Sequence, residues 1–209
     1  DNGSYVETNK DTLLMILERF IEQKNKDGIT SDRTYLRDKE TLNQIKKICK
    51  NWINKPIQKV TVENIEDSKE DMRKYSNSTI DKIWILLKKG FKIAYSRRKI
   101  SYNIMEDETL TKPISTKAPR VVTSLSKVEE NKLLKILTST VHKYNDILLL
   151  QLYTGMRIGE VLALSKDCIN LKNNTITVYR TITRDKHDKV ILGTHTKTYD
   201  KKNGIDKGK

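Results

Sequence analysis

The segment Thr154-Gly155-Met156-Arg157-Ile158-Gly159-Glu160 holds the residue of this chain best placed to do chemistry, an arginine between two glycines. It is entered from the apolar run Ile147-Leu148-Leu149-Leu150-Gln151-Leu152 and left through Val161-Leu162-Ala163-Leu164. The pattern predicts a glycine-broken turn carrying a cation between two buried helical stretches. A buried arginine requires an anion, because an unpaired charge away from water is costly. Two are open to it: Glu160, three residues on, in a helix-start ion pair, or an anion brought from outside.

The composition favours an external polyanion. Lys and Arg number 41 against 27 Asp and Glu, a net charge of +14 and a pI near 9.6. Cations spread in this way gain by displacing counterions from a phosphate backbone; a Lys- and Asn-rich composition is the plainer explanation of the same charge. Cys49 and Cys168 stand far apart without a CxxC pair or a His at ligand spacing, so they read as core thiols of a cytoplasmic protein rather than a disulfide or zinc site. No apolar run approaches the roughly 20 residues that cross a bilayer, and the first residues are no signal peptide. A chain that begins with Asp is expected to be a fragment.

Four helices are expected in the first hundred residues. Leu13, Leu14, Leu17, Phe20 and Ile21 mark one that ends near Gly28. Leu42, Ile45, Cys49 and Trp52 make one stripe of a longer helix over Ser31 to Asn54. Thr61 opens a short acidic helix through Lys74, and a capping box of Ser78 and Asp81 opens a fourth whose buried face is Ile80, Ile83, Trp84, Leu87, Phe91 and Ala94. Residues 45–55 carry four lysines and no acid, and residues 78–103 carry seven cations and one acid. The second and fourth helices are therefore expected to share a basic face. The stretch 106–122, with Pro113 and Pro119, reads as a linker between a helical domain, 1–105, and a second domain, 123–209. There Ser126 and Glu129 form a capping box before a first helix, a buried helix covers Lys143 to Tyr153, and a third covers Ile158 to Leu164. Thr175 to Arg180 alternates as a strand, Val190-Ile191-Leu192 with residues 195–198 suggests another, and the tail from Asp200 reads as a turn heading into a strand that does not arrive.

This order resembles the tyrosine recombinases, the integrases of phages and conjugative transposons. The resemblance covers nearly the whole chain and is most specific at Leu152-Tyr153-Thr154-Gly155-Met156-Arg157-Ile158-Gly159-Glu160-Val161-Leu162-Ala163-Leu164. It implies a mainly α fold with a small β-hairpin: a four-helix SAM-like core-binding domain, then the N-terminal part of an α+β catalytic domain. It also implies an activity. A tyrosine attacks a DNA phosphodiester, leaving a 3′-phosphotyrosine link and a free 5′ hydroxyl that later reverses the step, with no metal or nucleotide cofactor. Arg157 matches the arginine that steadies the pentacovalent phosphorane, Glu160 the acid that braces it, and Lys197 the lysine that protonates the leaving oxygen. The helix after Arg157 would add its N-terminal dipole. Lys186, Lys189, Lys201 and Lys202 compete with Lys197 for its role.

The resemblance further implies that the helical domain forms half of a clamp on double-stranded DNA. Lys46, Lys47, Lys50, Lys82, Lys89, Lys92, Arg97, Arg98 and Lys99 are the candidate contacts. A parent enzyme acting in the bacterial cytoplasm would assemble as a tetramer on DNA. The chain departs from the pattern after the hairpin. The His-x-x-Arg pair and the nucleophilic tyrosine that the family places downstream do not occur before Lys209; Tyr153 reads as core and Tyr199 comes too early. Residues 1–209 are thus expected to bind DNA without cutting it. A noncatalytic protein that occupies recombination sites is the alternative, whereas an RNA-binding scaffold lacks the interleaved aromatics that would stack on bases.

Overall fold

The computed structural model describes residues 10–119 and 121–193, and the backbone of two short strands, Tyr199–Asp200 and Ile205–Asp206. The chain forms two compact units, one through Val121 and one from Val122.

The first unit is built from α1 (Leu13–Lys26), α2 (Asp32–Ile48), α3 (Val62–Arg73) and α4 (Asn77–Ser96). Hydroxyl caps begin three of them: Thr12 accepts from the Met15 N–H at 3.2 Å, Ser31 from Thr34 at 3.3 Å and Ser76 from Thr79 at 3.3 Å. The expected box of Ser78 and Asp81 does not form. Ser76 takes the extended backbone that a cap needs, so α4 begins two residues earlier, and Asp81 lies within it, paired with Lys112. The helix expected as far as Asn54 stops at Ile48. Cys49, Trp52 and Ile53 remain buried because the following turns, closed by Trp52 N–H to Cys49 O at 3.0 Å and Ile53 N–H to Cys49 O at 2.8 Å, keep aiming them inward. The apolar spacing therefore outlasts the helix.

Leu13, Leu17, Ile45, Trp52, Ile65, Met72, Ile83, Leu87 and Phe91 form one continuous core. The Trp52 indole donates to Ser68 Oγ at 2.8 Å. The stretch expected as a linker is bound to this unit for much of its length. Met105, Leu110 and Pro113 are buried, Ser115 N–H donates to Asn77 Oδ1 at 2.9 Å, and Thr116 N–H donates to Arg73 O at 2.9 Å.

The chain entering α1 is tied across the unit. Asp11 O accepts from Ile57 N–H at 2.8 Å, and the Asp11 carboxylate pairs with Lys99 and, at 3.4 Å, with Arg19. The Lys99 hydrogen bond, opposed by partial burial and helped by the charges of Lys99 and Arg19, lowers the Asp11 pKa. A carboxyl depressed in the fold stabilises it above the unfolded value near 3.9, and that contribution is lost as pH falls through the folded value. Urea midpoints measured between pH 6 and pH 2 should fall more gently at the acid end for Asp11→Asn than for the natural chain. Parallel curves would show that the tie contributes nothing.

The second unit holds α5 (Lys127–Ser139), α6 (Asn145–Thr154) and α7 (Ile158–Leu162). Ser126 and Glu129 form the expected reciprocal cap, with Ser126 N–H donating to Glu129 Oε2 at 2.8 Å. Asn145 Nδ2 donates to Leu137 O at 3.1 Å and Thr140 O at 2.8 Å, fixing the start of α6 on the end of α5. The helix expected to be buried over 143–153 is instead mostly half-buried. Leu148 is 44% and Tyr153 73% exposed, so Tyr153 is not a core residue. Among the described elements α6 packs chiefly against α5 and α7.

Three two-stranded antiparallel ribbons follow: β1 (Ile169–Asn170) with β2 (Thr175–Ile176), β3 (Thr181–Arg184) with β4 (Val190–Gly193), and β5 (Tyr199–Asp200) with β6 (Ile205–Asp206). The strand expected over 175–180 is broken after Ile176, because Tyr179 and Arg180 bind Asp167 rather than a neighbouring strand. β3 takes its place in the hairpin, with Thr181 opposite Gly193 and Arg184 opposite Val190. A strand does arrive in the tail, at Ile205–Asp206.

Candidate active site and basic groove

Arg157 owes its position to two glycines with different tasks. Gly155 ends α6 in the left-handed region at φ +64°, its N–H bonded to Gln151 O at 2.8 Å. A side chain would be strained at that φ. Met156 then leads into Arg157, whose backbone is extended, with φ −69° and ψ 148°, and which caps α7. Gly159 is needed for closeness. A Cβ there would lie 2.7 Å from both Ile182 O and Thr181 Oγ1, so only glycine lets α7 rest directly on β3. The hairpin and the arginine are thereby held on one short framework.

Glu160 braces Arg157 twice. Its carboxylate accepts from the Arg157 N–H at 3.0 Å and from Nη1 at 2.8 Å. The glutamate side chain is 10% exposed and the arginine 47%, so a nearly buried acid fixes one edge of a guanidinium that faces outward. This corrects the expectation of a buried arginine, since only its counter-ion is enclosed. A planar fork steadied at one nitrogen keeps donors on its outer edge for a second, bidentate anion. At five residues α7 is too short to add much macrodipole, so the side chain carries the positive charge of this site.

Lys197, His195 and the competing Lys201 and Lys202 lie outside the described residues. Lys186 and Lys189 lie in the tip of the β3–β4 hairpin, where Asp185 accepts from the N–H groups of His187 at 2.8 Å and Lys189 at 2.9 Å.

One cluster is missed by sequence reading. Arg180 Nη2 donates to both Asp167 oxygens at 3.0 Å and approaches Cys168 Sγ at 3.4 Å, and Ser165 and Tyr179 also bond to Asp167. The Ser165 and Tyr179 hydroxyls hold the Asp167 carboxyl down at about 2. The cluster clasps the turn after α7 to the segment entering β3. Asp167 and Arg180 sit on either side of the β1–β2 ribbon, so only its closure brings them together.

In the helical unit α1, α2 and α4 enclose an open cavity of about 500 Å³. Lys82, Lys89 and Lys92 line it, and Lys24, Arg37 and Lys88, which are not among the expected contacts, join them. Phe20 forms its apolar floor, with the ammonium groups of Lys24 and Lys89 at 5.3 and 5.2 Å from the ring centroid. Lys24 also pairs with Asp38 at 2.8 Å. The remaining expected contacts lie elsewhere. Lys46 pairs with Glu18 at 2.8 Å and Lys99 with Asp11, while Arg97 lines a separate hollow with Glu18 and Glu22. Lys47, Lys50 and Arg98 are exposed outside the groove, Arg98 at φ +54°. The expected basic face is thus concentrated on α4.

Comparison with known proteins bears on this arrangement. A model of the phage integrase SAM-like domain matches residues 12–110, and a model of the phage integrase family matches residues 123–201. The chain belongs to the phage integrase family of tyrosine recombinases. Its fold is that of solved Tn1549 transposon integrases. An arginine-to-lysine variant in complex with a circular intermediate DNA is 20% identical with TM-score 0.70, covering 90% of this chain and 58% of that one. A tyrosine-to-phenylalanine variant in complex with transposon right end DNA gives the same figures. The integrase without either change, with circular intermediate DNA, is 19% identical with TM-score 0.71, covering 88% and 59%. This tyrosine recombinase chain therefore spans less than two thirds of the length of those structures. No curated protein matches it. Among the described residues no helix is long and apolar enough to cross a membrane.

Proposed function

We propose that this chain belongs to a site-specific recombinase of a mobile element, which binds double-stranded DNA and cuts and rejoins it through a 3′-phosphotyrosine intermediate. The observation that carries the reading is Arg157: an outward guanidinium at a glycine-shaped turn, fixed from behind by a nearly buried Glu160. Such a fork fits the nonbridging oxygens of a scissile phosphate. Its charge is steadied before the substrate arrives, which is where electrostatic catalysis gains most. Lys197 is assigned the proton for the leaving 5′ oxygen, and a tetramer on DNA is the working assembly of the full enzyme.

The α4 groove is assigned to the duplex backbone. Lys82, Lys89 and Lys92 are the principal contacts. Lys46 and Lys99 contribute less, because each must leave a carboxylate first. Residues 1–209 alone bind DNA without forming a covalent link: Tyr179 is committed to Asp167, and Tyr153 lies on the turn before Arg157 rather than at the family's downstream position.

One experiment tests the reading. Gel-shift affinities of residues 1–209 for duplex DNA are measured across salt concentrations, with and without Lys82→Glu and Lys89→Glu together. The double variant should bind at least tenfold more weakly, with a salt slope shallower by about 2, close to one unit for each phosphate no longer neutralised. The same samples on a denaturing gel should show no protein–DNA adduct. An unchanged affinity and slope would remove the groove from the DNA face, and an adduct would overturn the assignment of the nucleophile.

A further inference from the structure

Phosphate contacts alone leave one feature of the α4 groove unexplained. Ile85 is 67% exposed within it, although its surroundings are cationic. At about 100° per residue, Lys82, Lys88, Lys89 and Lys92 spread over an arc of about 120° on α4, and Ile85 lies at the middle of that arc. It stands one turn after Lys82 and one turn before Lys88 and Lys89, with Lys92 a further turn on. The acid at the start of the stripe, Asp81, is occupied by Lys112. An isolated exposed isoleucine needs no explanation on an ordinary surface. Here it is a β-branched apolar side chain set among four lysines of the same helix face, on a helix long enough, at 20 residues, to lie along a groove of DNA.

We propose that Ile85 reads base identity by contact with the C5-methyl group of thymine in the major groove. The inference rests on the assignment of this groove to DNA and deepens it. Lysines on both sides of an α-helix can hold the phosphates that flank a major groove, and the side chain midway between them then points at the base edges. Thymine is the base that presents a methyl there, and an aliphatic side chain without donors or acceptors suits it. Phe20, with the Lys89 ammonium over its ring, helps keep one of the flanking cations in place. The lysines fix the register, and Ile85 contributes discrimination.

The test uses residues 1–209 and a random-sequence duplex library, made once with thymine and once with deoxyuridine, which lacks only the methyl. The natural chain should enrich thymine at one or two adjacent positions, by about fourfold at each, the worth of one buried methyl group. In the deoxyuridine library that preference should vanish. Ile85→Ala, an exposed substitution whose folding is checked by its melting curve, should bind the thymine library within threefold of the natural chain yet show no thymine preference. The proposal is overturned if the preference survives in Ile85→Ala, if it survives the loss of the methyl, or if the natural chain shows none. Should the natural chain bind no duplex at all, the assignment of the groove to DNA falls with it, and that outcome is distinct from binding with an unaltered preference.

Discussion

On the proposed assignment of Arg157 to the scissile phosphate, Arg157→Ala should lower strand cleavage by about 10³-fold in the recombining protein while changing duplex affinity by less than about threefold, because the guanidinium would act on charge that develops only at the reacting phosphate. Arg157→Lys keeps the charge but loses the fork, and should recover only part of the rate. Glu160→Gln should fall between, since an amide oxygen still accepts from the Arg157 backbone N–H but no longer offers a full charge to Nη1. Single-turnover cleavage of a nicked substrate that traps the covalent product measures all three. If Arg157→Ala cleaves at the natural rate, the helix-start ion pair is all that this motif provides.

The second large effect concerns Gly159. In Gly159→Ala the new methyl group meets the Ile182 carbonyl at 2.7 Å, and a backbone atom within a hairpin cannot rotate aside as the Thr181 hydroxyl can. Relief requires α7 and β3 to move apart. Overpacking of this kind costs about 1–3 kcal/mol, which in a unit of this size lowers the melting temperature by several degrees or more. Because the same close approach holds the hairpin beside Arg157, cleavage should fall further than stability alone explains. A melting temperature and a cleavage rate both equal to those of the natural chain would show that α7 and β3 do not rely on this closeness. Gly155→Ala offers a contrast: no atom stands within 4 Å of its would-be Cβ, so its cost is backbone strain alone.

Local chemistry was legible in the sequence wherever it is decided locally. Ser126 with Glu129 formed its cap as read, Thr61 opened its helix, and the six residues read as the inward face of α4 are all buried, with Leu86 and Gly90 beside them. The failures came where tertiary packing decides. Ser76 and Ser78 are equivalent by type, and the packing of α4 chooses between them. Cys49 and Trp52 extend a helical spacing through turns that are not helical. The apolar run in α6 reads as core, yet it is only partly buried and Leu148 is exposed, because periodicity registers hydrophobicity and not the presence of a covering surface. At the candidate site, the turn at Gly155 and the Arg157–Glu160 spacing could be read directly. Gly159 could not be given its reason, nor Asp167 its partner, because both depend on strands that return from later in the chain. Arg37 and Lys24 escaped for a similar reason: they join the groove from α2 and α1, where no run of charge announces them.

The pairing of Arg157 with Glu160 also bears on timing. A long arginine side chain gives up about 2 kcal/mol of rotamer freedom when it is fixed. With Nη1 and the backbone N–H both held by one carboxylate, much of that ordering takes place when the chain folds, before any DNA is met. The loss of entropy is then borne by the stability of the second unit and not by the later binding of an anion. On the proposed function, Glu160 thus has the guanidinium ordered by folding, ahead of the phosphate it would meet.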